Sequence, residues 1–195
     1  MSEKRKILLD LAVTLDGFIE GKNGEIDWCI MEPEMNFSDF LNQIDTIFFG
    51  RKSYELFEAF RPKEDSSLED KAMWEQIDGK KKYVFSRTLQ STRDFTVVKD
   101  QLADEVEKIK NTTGKDIWLY GGSELISAFM KLSLIDEYRL SIHPILLGEG
   151  KPLFTDTNRL GLKLIKVNTY PSGVVQLIYH REDPVEGSQN KSQNK

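Results

Sequence analysis

The sequence predicts a three-layer α/β protein, in which helices cover both faces of a mainly parallel central sheet and an antiparallel C-terminal hairpin closes it. Two patterns support this prediction. Short apolar strands alternate with amphipathic helices along the chain, and two strand-like segments near its end flank a Pro-Ser-Gly turn. Alternating strands and helices favour parallel pairing, because the connection between two parallel strands is usually a helix.

Apolar runs and helical spacing place the elements in order along the chain. The predicted strands are Ile7 to Val13, Thr46 to Phe49, Lys82 to Phe85, Phe95 to Val98, Ile117 to Tyr120, Tyr138 to Ile142, Leu162 to Thr169 and Val174 to His180. The predicted helices are Lys52 to Phe60, Gln101 to Thr112 and Ser123 to Lys131. Asp27 to Asn42 starts irregular and becomes helical, with Phe37, Phe40, Leu41 and Ile44 at helical spacing.

The length and composition fit one soluble domain. We assign residues 1–183 of the 195 to this domain and expect the polar residues 184–195 to be a disordered tail. A net charge of −5 without a dense basic block argues against nucleic-acid binding. One cysteine and two histidines are too few for a structural zinc site. We find neither a signal peptide nor an apolar run of about 18 residues, so we expect a cytoplasmic protein without a membrane partner.

Parallel sheets bind ligands beyond the carboxyl ends of their strands, and three strand-to-helix junctions there are suited to phosphate. Arg51 and Lys52 place cations at a helix N-terminus, which suggests an anion outside the helix. The glycines of the third junction allow close approach of a phosphate, and Ser123 is expected to cap the following helix. An ordinary tight turn and a solvated surface pair remain the alternatives. The junction residues are Gly50, Arg51, Lys52 and Ser53, then Ser86, Arg87 and Thr88, then Gly121, Gly122 and Ser123.

Motif order and spacing resemble the dihydrofolate reductase superfamily in residues 13–19 (VTLDGFI), 26–28 (IDW) and 49–55 (FGRKSYE). Residues 120–125 (YGGSEL), 134–138 (LIDEY) and 143–150 (HPILLGEG) resemble one branch of it. That branch holds the C-terminal reductase domain of the bifunctional riboflavin-biosynthesis deaminase-reductase and its stand-alone relatives. Neither a Rossmann G-x-G-x-x-G nor a P-loop occurs, and the deaminase motif is also missing.

The resemblance implies an NADPH site whose residues are assigned by position. Ala12 and Ile19 match residues that border the nicotinamide, and the Gly121–Gly122 bond matches a cis peptide of dihydrofolate reductases. Residues that match the surroundings of the adenosine 2′-phosphate are Arg51, Ser86 and Arg87. Residues that match pyrophosphate contacts are Lys52, Ser53, Gly121, Gly122, Ser123, Glu124 and Leu125.

Hydride transfer to a C=N or C=O bond needs a proton source, and Asp10 is the first candidate. It interrupts an apolar strand and shares a face with Ala12, so we expect it to face the nicotinamide; solvation near a sheet edge is the alternative. Glu32 and Glu34 are the next candidates, and an exposed loop surface is the alternative. Glu34 matches the pterin-binding carboxylate only if one residue is inserted. Ser141 and Trp28 are expected at the substrate pocket, or alternatively in the core.

The sequence therefore predicts an NADPH-dependent oxidoreductase that transfers hydride to a small heterocyclic or ribosylamino substrate. The resemblance points to 5-amino-6-(5-phosphoribosylamino)uracil reductase of riboflavin biosynthesis. Dihydrofolate reductase proper and a non-catalytic nucleotide-binding module remain alternatives. Relatives often form dimers, and the apolar residues 145–147 are either part of such an interface or part of the core.

Overall fold

The described residues of the computed structural model, 4–155 and 158–182, form an eight-stranded sheet with helices on both faces. The predicted tail, residues 184–195, lies outside them. The strands are β1 (Ile7–Thr14), β2 (Phe18–Glu20), β3 (Ile44–Gly50), β4 (Lys81–Phe85), β5 (Thr96–Val98), β6 (Asp116–Gly121), β7 (Glu137–His143), β8 (Lys151–Pro152), β9 (Leu162–Thr169) and β10 (Val175–Arg181). The helices are α1 (Phe37–Gln43), α2 (Arg51–Ala59), α3 (Leu68–Asp78), α4 (Leu102–Lys110) and α5 (Ser123–Lys131).

The strand order of the sheet is β5-β4-β3-β6-β1-β7-β10-β9. The first six strands are parallel, whereas β10 runs antiparallel to both β7 and β9. This topology confirms the predicted mainly parallel sheet with an antiparallel hairpin. None of the helices in the described part of the chain is long and apolar enough to cross a membrane.

Strand β1 shows why the sheet has a core on each face. Ile7 and Leu9 pack in one buried cluster with Phe129 of α5, whereas Leu8 packs in the other with Trp74 of α3. Successive side chains of a strand point to opposite faces. The near-continuous apolar run of β1 therefore reflects a strand covered on both sides.

Three elements that the sequence did not predict and one misassigned residue are the main differences from the sequence prediction. Helix α3 and the small β2–β8 sheet were not predicted, and Ile44 begins β3 instead of continuing the preceding helix. Leu68 of α3 is 83% exposed and only Trp74 and Ile77 of this helix are buried, so its apolar stripe is weak. Ile44 is fully buried and pairs with Asp116 of β6, so sheet pairing outweighs its helical spacing.

The carboxyl ends of β3, β4 and β6 meet at one edge of the sheet. Gly50 is the register partner of Phe85, and Phe49 is the partner of Gly121. A Cβ added to Gly50 would lie 3.5 Å from the carbonyl oxygen of Gly121. The three predicted phosphate junctions are therefore close together in the fold.

Candidate active site

A cavity of about 1040 Å³ lies on the α1 face of the sheet. Strands β1, β7, β10 and β9 contribute its floor, while α1, the start of α2 and residues 26–36 contribute its walls. Its volume is at the upper end of the range for small-molecule sites, about 300–1,000 Å³. The cavity therefore has room for a substrate and for part of a larger cofactor.

Two rows of side chains cross the cavity floor at right angles to the strands. The Asp10 row follows the register partners Asp10, Arg139, Ile178 and Lys166 on β1, β7, β10 and β9. The Ser141 row follows the partners Ala12, Ser141, Gln176 and Asn168 on the same strands. All eight residues line the cavity. Neighbouring strands lie about 4.8 Å apart, so each row brings side chains into lateral contact.

Asp10 lies where strand alternation predicts, on the cavity side of a central strand. Strand β1 is paired with β6 and β7, so the alternative of a solvated residue near the sheet edge is wrong. Burial raises the pKa of the Asp10 carboxyl from 3.8 to about 7, while Arg139 acts in the opposite direction and Glu137 adds to the rise. No side-chain hydrogen bond to this carboxyl occurs within the described residues. Asp10 is therefore a carboxyl that can both hold and release a proton near neutral pH.

Arg139 is held in place beside Asp10 by three contacts. Its Nε donates to Glu137, another of its nitrogens donates to Oε1 of Gln43 at 2.8 Å, and its guanidinium lies 5.3 Å from the centre of the Phe40 ring. Oε2 of Glu137 lies 2.8 Å from Nε2 of His180. A fixed cation therefore faces the cavity next to the buried acid.

Residues 26–36 form the cavity wall that faces the sheet, and two side chains hold this segment in place. The Ile30 backbone N–H donates to Nε2 of His143 at 3.0 Å, and Nδ1 of His143 lies 2.9 Å from the Ser141 carbonyl oxygen. The Ser172 hydroxyl donates to Oε1 of Glu32 at 2.7 Å. His143 is only 2% exposed, so this ring serves as an internal support of the wall.

The sequence candidates in this wall have different positions. Trp28 is 8% exposed, packs edge-on against His143 at 5.3 Å and lies behind the cavity lining, which favours the core alternative. Glu34 lines the cavity but is exposed at the wall. Cys29 also lines it, and burial together with Asp27 raises the pKa of its thiol to about 11. Asp10 is therefore better placed than Glu34 to exchange a proton with a ligand on the floor.

Helices α2 and α5 begin side by side at the sheet edge next to the cavity. The Gly122 backbone N–H donates to Oγ of Ser53 at 2.8 Å, and a Cβ on Gly122 would lie 2.7 Å from the same oxygen. Gly50 and Gly122 occupy the N-cap positions of α2 and α5, and glycine has no side chain with which to cap the helix. Free N–H groups of two helix starts therefore point to one edge.

Two expectations for this edge were wrong. The Gly121–Gly122 peptide is trans, as are all described peptide bonds, and the chain turns here because Gly121 adopts a φ of 114°. Ser123 is the first residue of α5 and is buried, so it does not occupy the capping position; Gly122 does. Glycine can adopt a positive φ without a steric cost, which explains the residue at this turn.

The predicted phosphate cations lie at the outer rim of this edge. Arg51 is paired with Glu55 at 2.9 Å, and the side chain of Arg87, which lies 3.9 Å from Asp100, is 87% exposed. Oγ of Ser86 accepts the backbone N–H of Thr88 at 3.2 Å.

Only part of the predicted cofactor set reaches the cavity. The predicted cofactor residues that line it are Ala12, Ile19, Ser53 and Gly122. The others lie outside the lining: Gly50, Arg51, Lys52, Ser86, Arg87, Thr88, Gly121, Ser123, Glu124 and Leu125.

Sequence reasoning missed several cavity residues. Strand alternation carries a signal for two of them, because Arg139 shares a face with Ser141 and Gln176 interrupts an otherwise apolar strand. Gln43 and Tyr170 carry no comparable signal, because their positions depend on how α1 and the hairpin turn pack over the sheet.

Comparison with known proteins places the chain in a family. The RibD C-terminal domain family matches residues 5–176. The Bacillus subtilis protein YyaP is 56% identical over 180 residues, which cover 91% of this chain and 96% of YyaP. A Shewanella sp. PV-4 structure whose name refers to riboflavin biosynthesis is 26% identical, with a TM-score of 0.73 over 91% of this chain and 99% of that chain.

A more distant structure supports the fold alone. Dihydrofolate reductase from Enterococcus faecalis, complexed with NADP(H), is 16% identical and has a TM-score of 0.63 over 91% of this chain and 97% of its own. The family match over residues 5–176 and the 56% identity to YyaP establish the family as well as the fold. The chain therefore belongs to the RibD C-terminal domain family and has the dihydrofolate reductase fold.

Proposed function

We propose that the protein is an NADPH-dependent reductase whose substrate binds on the cavity floor. One observation carries the proposal: Asp10, a carboxyl with a pKa of about 7, lies on the floor of a cavity that also reaches Gly122 at a paired helix start. A reductase needs an acid and a cofactor site next to each other. Membership in the RibD C-terminal domain family supports the same class of reaction.

The chemistry of the sheet edge fits a dinucleotide diphosphate. Helix α2 has no acidic residue in its first turn, where Arg51 and Lys52 stand instead. By contrast, Ser67 caps α3, whose first turn carries Glu69 and Asp70. Anions are favourable at a helix N-terminus and cations are unfavourable there, so the first turn of α2 is suited to an external anion.

The position of each residue indicates which part of such a cofactor it would contact. The starts of α2 and α5 would hold the diphosphate, while Ala12 and Ile19 in the cavity would border the nicotinamide. Arg51 and Arg87 at the rim would hold the 2′-phosphate that distinguishes NADPH from NADH. When bound, this cofactor supplies the hydride, and Asp10 holds the proton that the reduced substrate takes up.

The substrate that we propose is a small heterocycle or a ribosylamino compound, as in 5-amino-6-(5-phosphoribosylamino)uracil reductase. The floor combines Arg139, Ser141, Gln176 and Asn168 with the acid Asp10, so it offers several hydrogen-bonding groups to a polar ring. Apolar walls, among them Ile30 and Phe37, would exclude water from such a ring.

The test is steady-state oxidation of NADPH with 5-amino-6-(5-phosphoribosylamino)uracil, dihydrofolate and a wider panel of heterocyclic substrates. We expect turnover with at least one substrate, and Asp10→Asn should lower it by roughly 10²–10⁴-fold with little change in NADPH affinity. Asp39→Asn, which alters another carboxylate of the cavity lining, is the matched control and should retain activity. Tight NADPH binding without turnover on any substrate would indicate a nucleotide-binding module instead.

A further inference from the structure

The polar side chains of the Ser141 row form a hydrogen-bonded chain across the cavity floor. Nδ2 of Asn168 donates to Oε1 of Gln176 at 2.9 Å, and Nε2 of Gln176 lies 3.4 Å from Oγ of Ser141, to which it donates. The three residues are register partners on β9, β10 and β7, so the sheet itself places them side by side.

The hydrogen bonds from Asn168 to Gln176 and from Gln176 to Ser141 run in one direction. An amide has one accepting oxygen and a donating NH₂ group that cannot accept a hydrogen bond. Since Asn168 occupies the oxygen of Gln176, the NH₂ group of Gln176 faces Ser141, and the serine hydroxyl cannot donate back to it. Among the described residues, no acceptor is hydrogen-bonded to the Ser141 hydroxyl proton. That proton is therefore available to a ligand in the cavity.

The free proton lies close to the acid on the floor. Ser141 is the register partner of Ala12, and Asp10 precedes Ala12 by two residues on the same face of β1. The side chain of Ala12 is only a methyl group, so it leaves space beside the serine hydroxyl. A neutral donor and a protonatable carboxyl thus face the same part of the cavity.

We propose that Ser141 donates a hydrogen bond to the carbonyl oxygen or imine nitrogen of the substrate, and that Gln176, oriented by Asn168, is the positioning residue that keeps this proton free. The proposal rests on the proposed reductase function. When bound, NADPH would supply the hydride for a new C–H bond at the substrate carbon and would leave as NADP⁺. The π electron pair of the C=O or C=N bond would move to the heteroatom, and Asp10 would give that atom a proton. Ser141 stabilises the developing charge and keeps its own proton.

The sharpest test reverses the hydrogen bond between residue 176 and Ser141. Gln176→Glu has nearly the same shape, and its ionised carboxylate would still accept from Asn168 but would now also accept the Ser141 proton. We expect turnover near pH 8 to fall roughly 10²–10³-fold, as for loss of a hydrogen-bond donor to the reacting atom. Towards pH 5 the introduced carboxyl takes up a proton and can donate to Ser141, so the ratio of variant to wild-type turnover should recover.

Two further variants separate this role from a structural one. Gln176→Leu has no titratable group and no oxygen that could accept the Ser141 proton, so its activity relative to wild type should be the same at every pH. Ser141→Ala should cost as much as Gln176→Glu at pH 8, and the double substitution should cost no more than either alone, because both remove one interaction. A Gln176→Glu variant as active as wild type at pH 8, or one whose loss is the same at every pH, would overturn the proposal.

The side-chain amide signals of ¹⁵N-labelled protein test the direction without any substrate. If Gln176 donates to Ser141, Ser141→Ala should shift its NH₂ proton resonances, whereas Ser127→Ala, a surface hydroxyl of α5, should leave them unchanged. Unchanged signals in Ser141→Ala overturn the inference whatever the enzyme reduces. A wild-type protein that turns over nothing while these signals shift would count against the reductase function and support the orientation of the chain.

Discussion

The backbone N–H of Gly122 donates a hydrogen bond of 2.8 Å to Oγ of Ser53, and this contact joins the starts of α2 and α5. Both helices begin at the carboxyl ends of neighbouring parallel strands, β3 and β6. The contact uses one N–H of the α5 start and leaves the following ones directed towards the sheet edge. It therefore fixes the spacing of the two helix starts that we assign to the diphosphate.

Gly122→Ala tests the close approach at this edge. The new Cβ would lie 2.7 Å from Oγ of Ser53, so we expect the Kd for NADPH to rise more than tenfold, which corresponds to about 1.4 kcal/mol. Calorimetric titration measures the change, and Gly79→Ala, whose Cβ would have an ordinary contact of 3.6 Å, is the control. The added substitution Ser53→Ala removes the clash; full recovery of affinity in that double variant would mean that the diphosphate does not press against Gly122.

Cofactor preference tests the cations at the rim. Arg51→Ala and Arg87→Ala should each weaken NADPH about tenfold or more while NADH changes little, because a charge-assisted hydrogen bond to the 2′-phosphate contributes about 1.5–3 kcal/mol. Glu55→Gln should tighten NADPH binding slightly, since Glu55 now pairs with Arg51. Arg93→Ala, at the opposite edge of the sheet, is the control. Equal weakening of both cofactors would contradict the assignment.

Asp10 makes stability depend on pH without any substrate. Its pKa is about 7 in the folded chain against 3.8 ordinarily, so between these values the folded state binds a proton that the unfolded state lacks. The contribution of Asp10 to the free energy of unfolding is therefore fully present below about pH 4 and is lost as the pH rises to about 7. Asp10→Asn removes this pH dependence. The free energy of unfolding of the variant, relative to that of the wild type, should therefore be higher at pH 8 than at pH 4 by on the order of 2–4 kcal/mol. Chemical denaturation at both pH values tests this, and a pH-independent effect would contradict it.

Arg5 is expected to be critical for stability. It is 4% exposed and hydrogen-bonds the Lys115 and Ile109 carbonyls, Thr112, Thr46 and Asp45. Arg5→Ala would leave these acceptors without their donor and should lower the free energy of unfolding by about 3–5 kcal/mol. Lys4→Ala removes an exposed ion pair with Glu107 and should cost less than about 1 kcal/mol. Similar denaturation midpoints for the two variants would refute this role.

The predicted homodimer can be tested at an exposed apolar loop. Ile145 is 36% exposed and Leu146 is 68% exposed, so these two residues are not core in the described structure. Sedimentation should show a dimer that Leu146→Glu weakens, because a charge would enter an apolar interface. Leu68→Glu, at an equally apolar position on α3 that is 83% exposed, should leave the mass unchanged. A wild-type monomer at all concentrations would end this expectation.

The local sequence pattern was sufficient to predict most strands and the face of β1 to which the Asp10 side chain points. A strand alternates its side chains between two faces, so the position of Asp10 relative to Ala12 follows from their spacing alone. The weakly amphipathic α3 and the two-residue strand β8 escaped detection, because their formation depends on neighbours that the local sequence does not name.

The sequence by itself determined the order of most strands and helices, the carboxylate within β1 and the three glycine- or serine-rich junctions, because each depends on residues close together in the chain. Only the tertiary structure decided which of these residues share a site. Arg139 meets Gln43 across 96 positions, Ile30 meets His143 across 113, and Gln176 meets Ser141 across 35. Such contacts depend on the register between strands, which is set by packing over the whole sheet, and a shift of one residue would turn every one of these side chains to the opposite face.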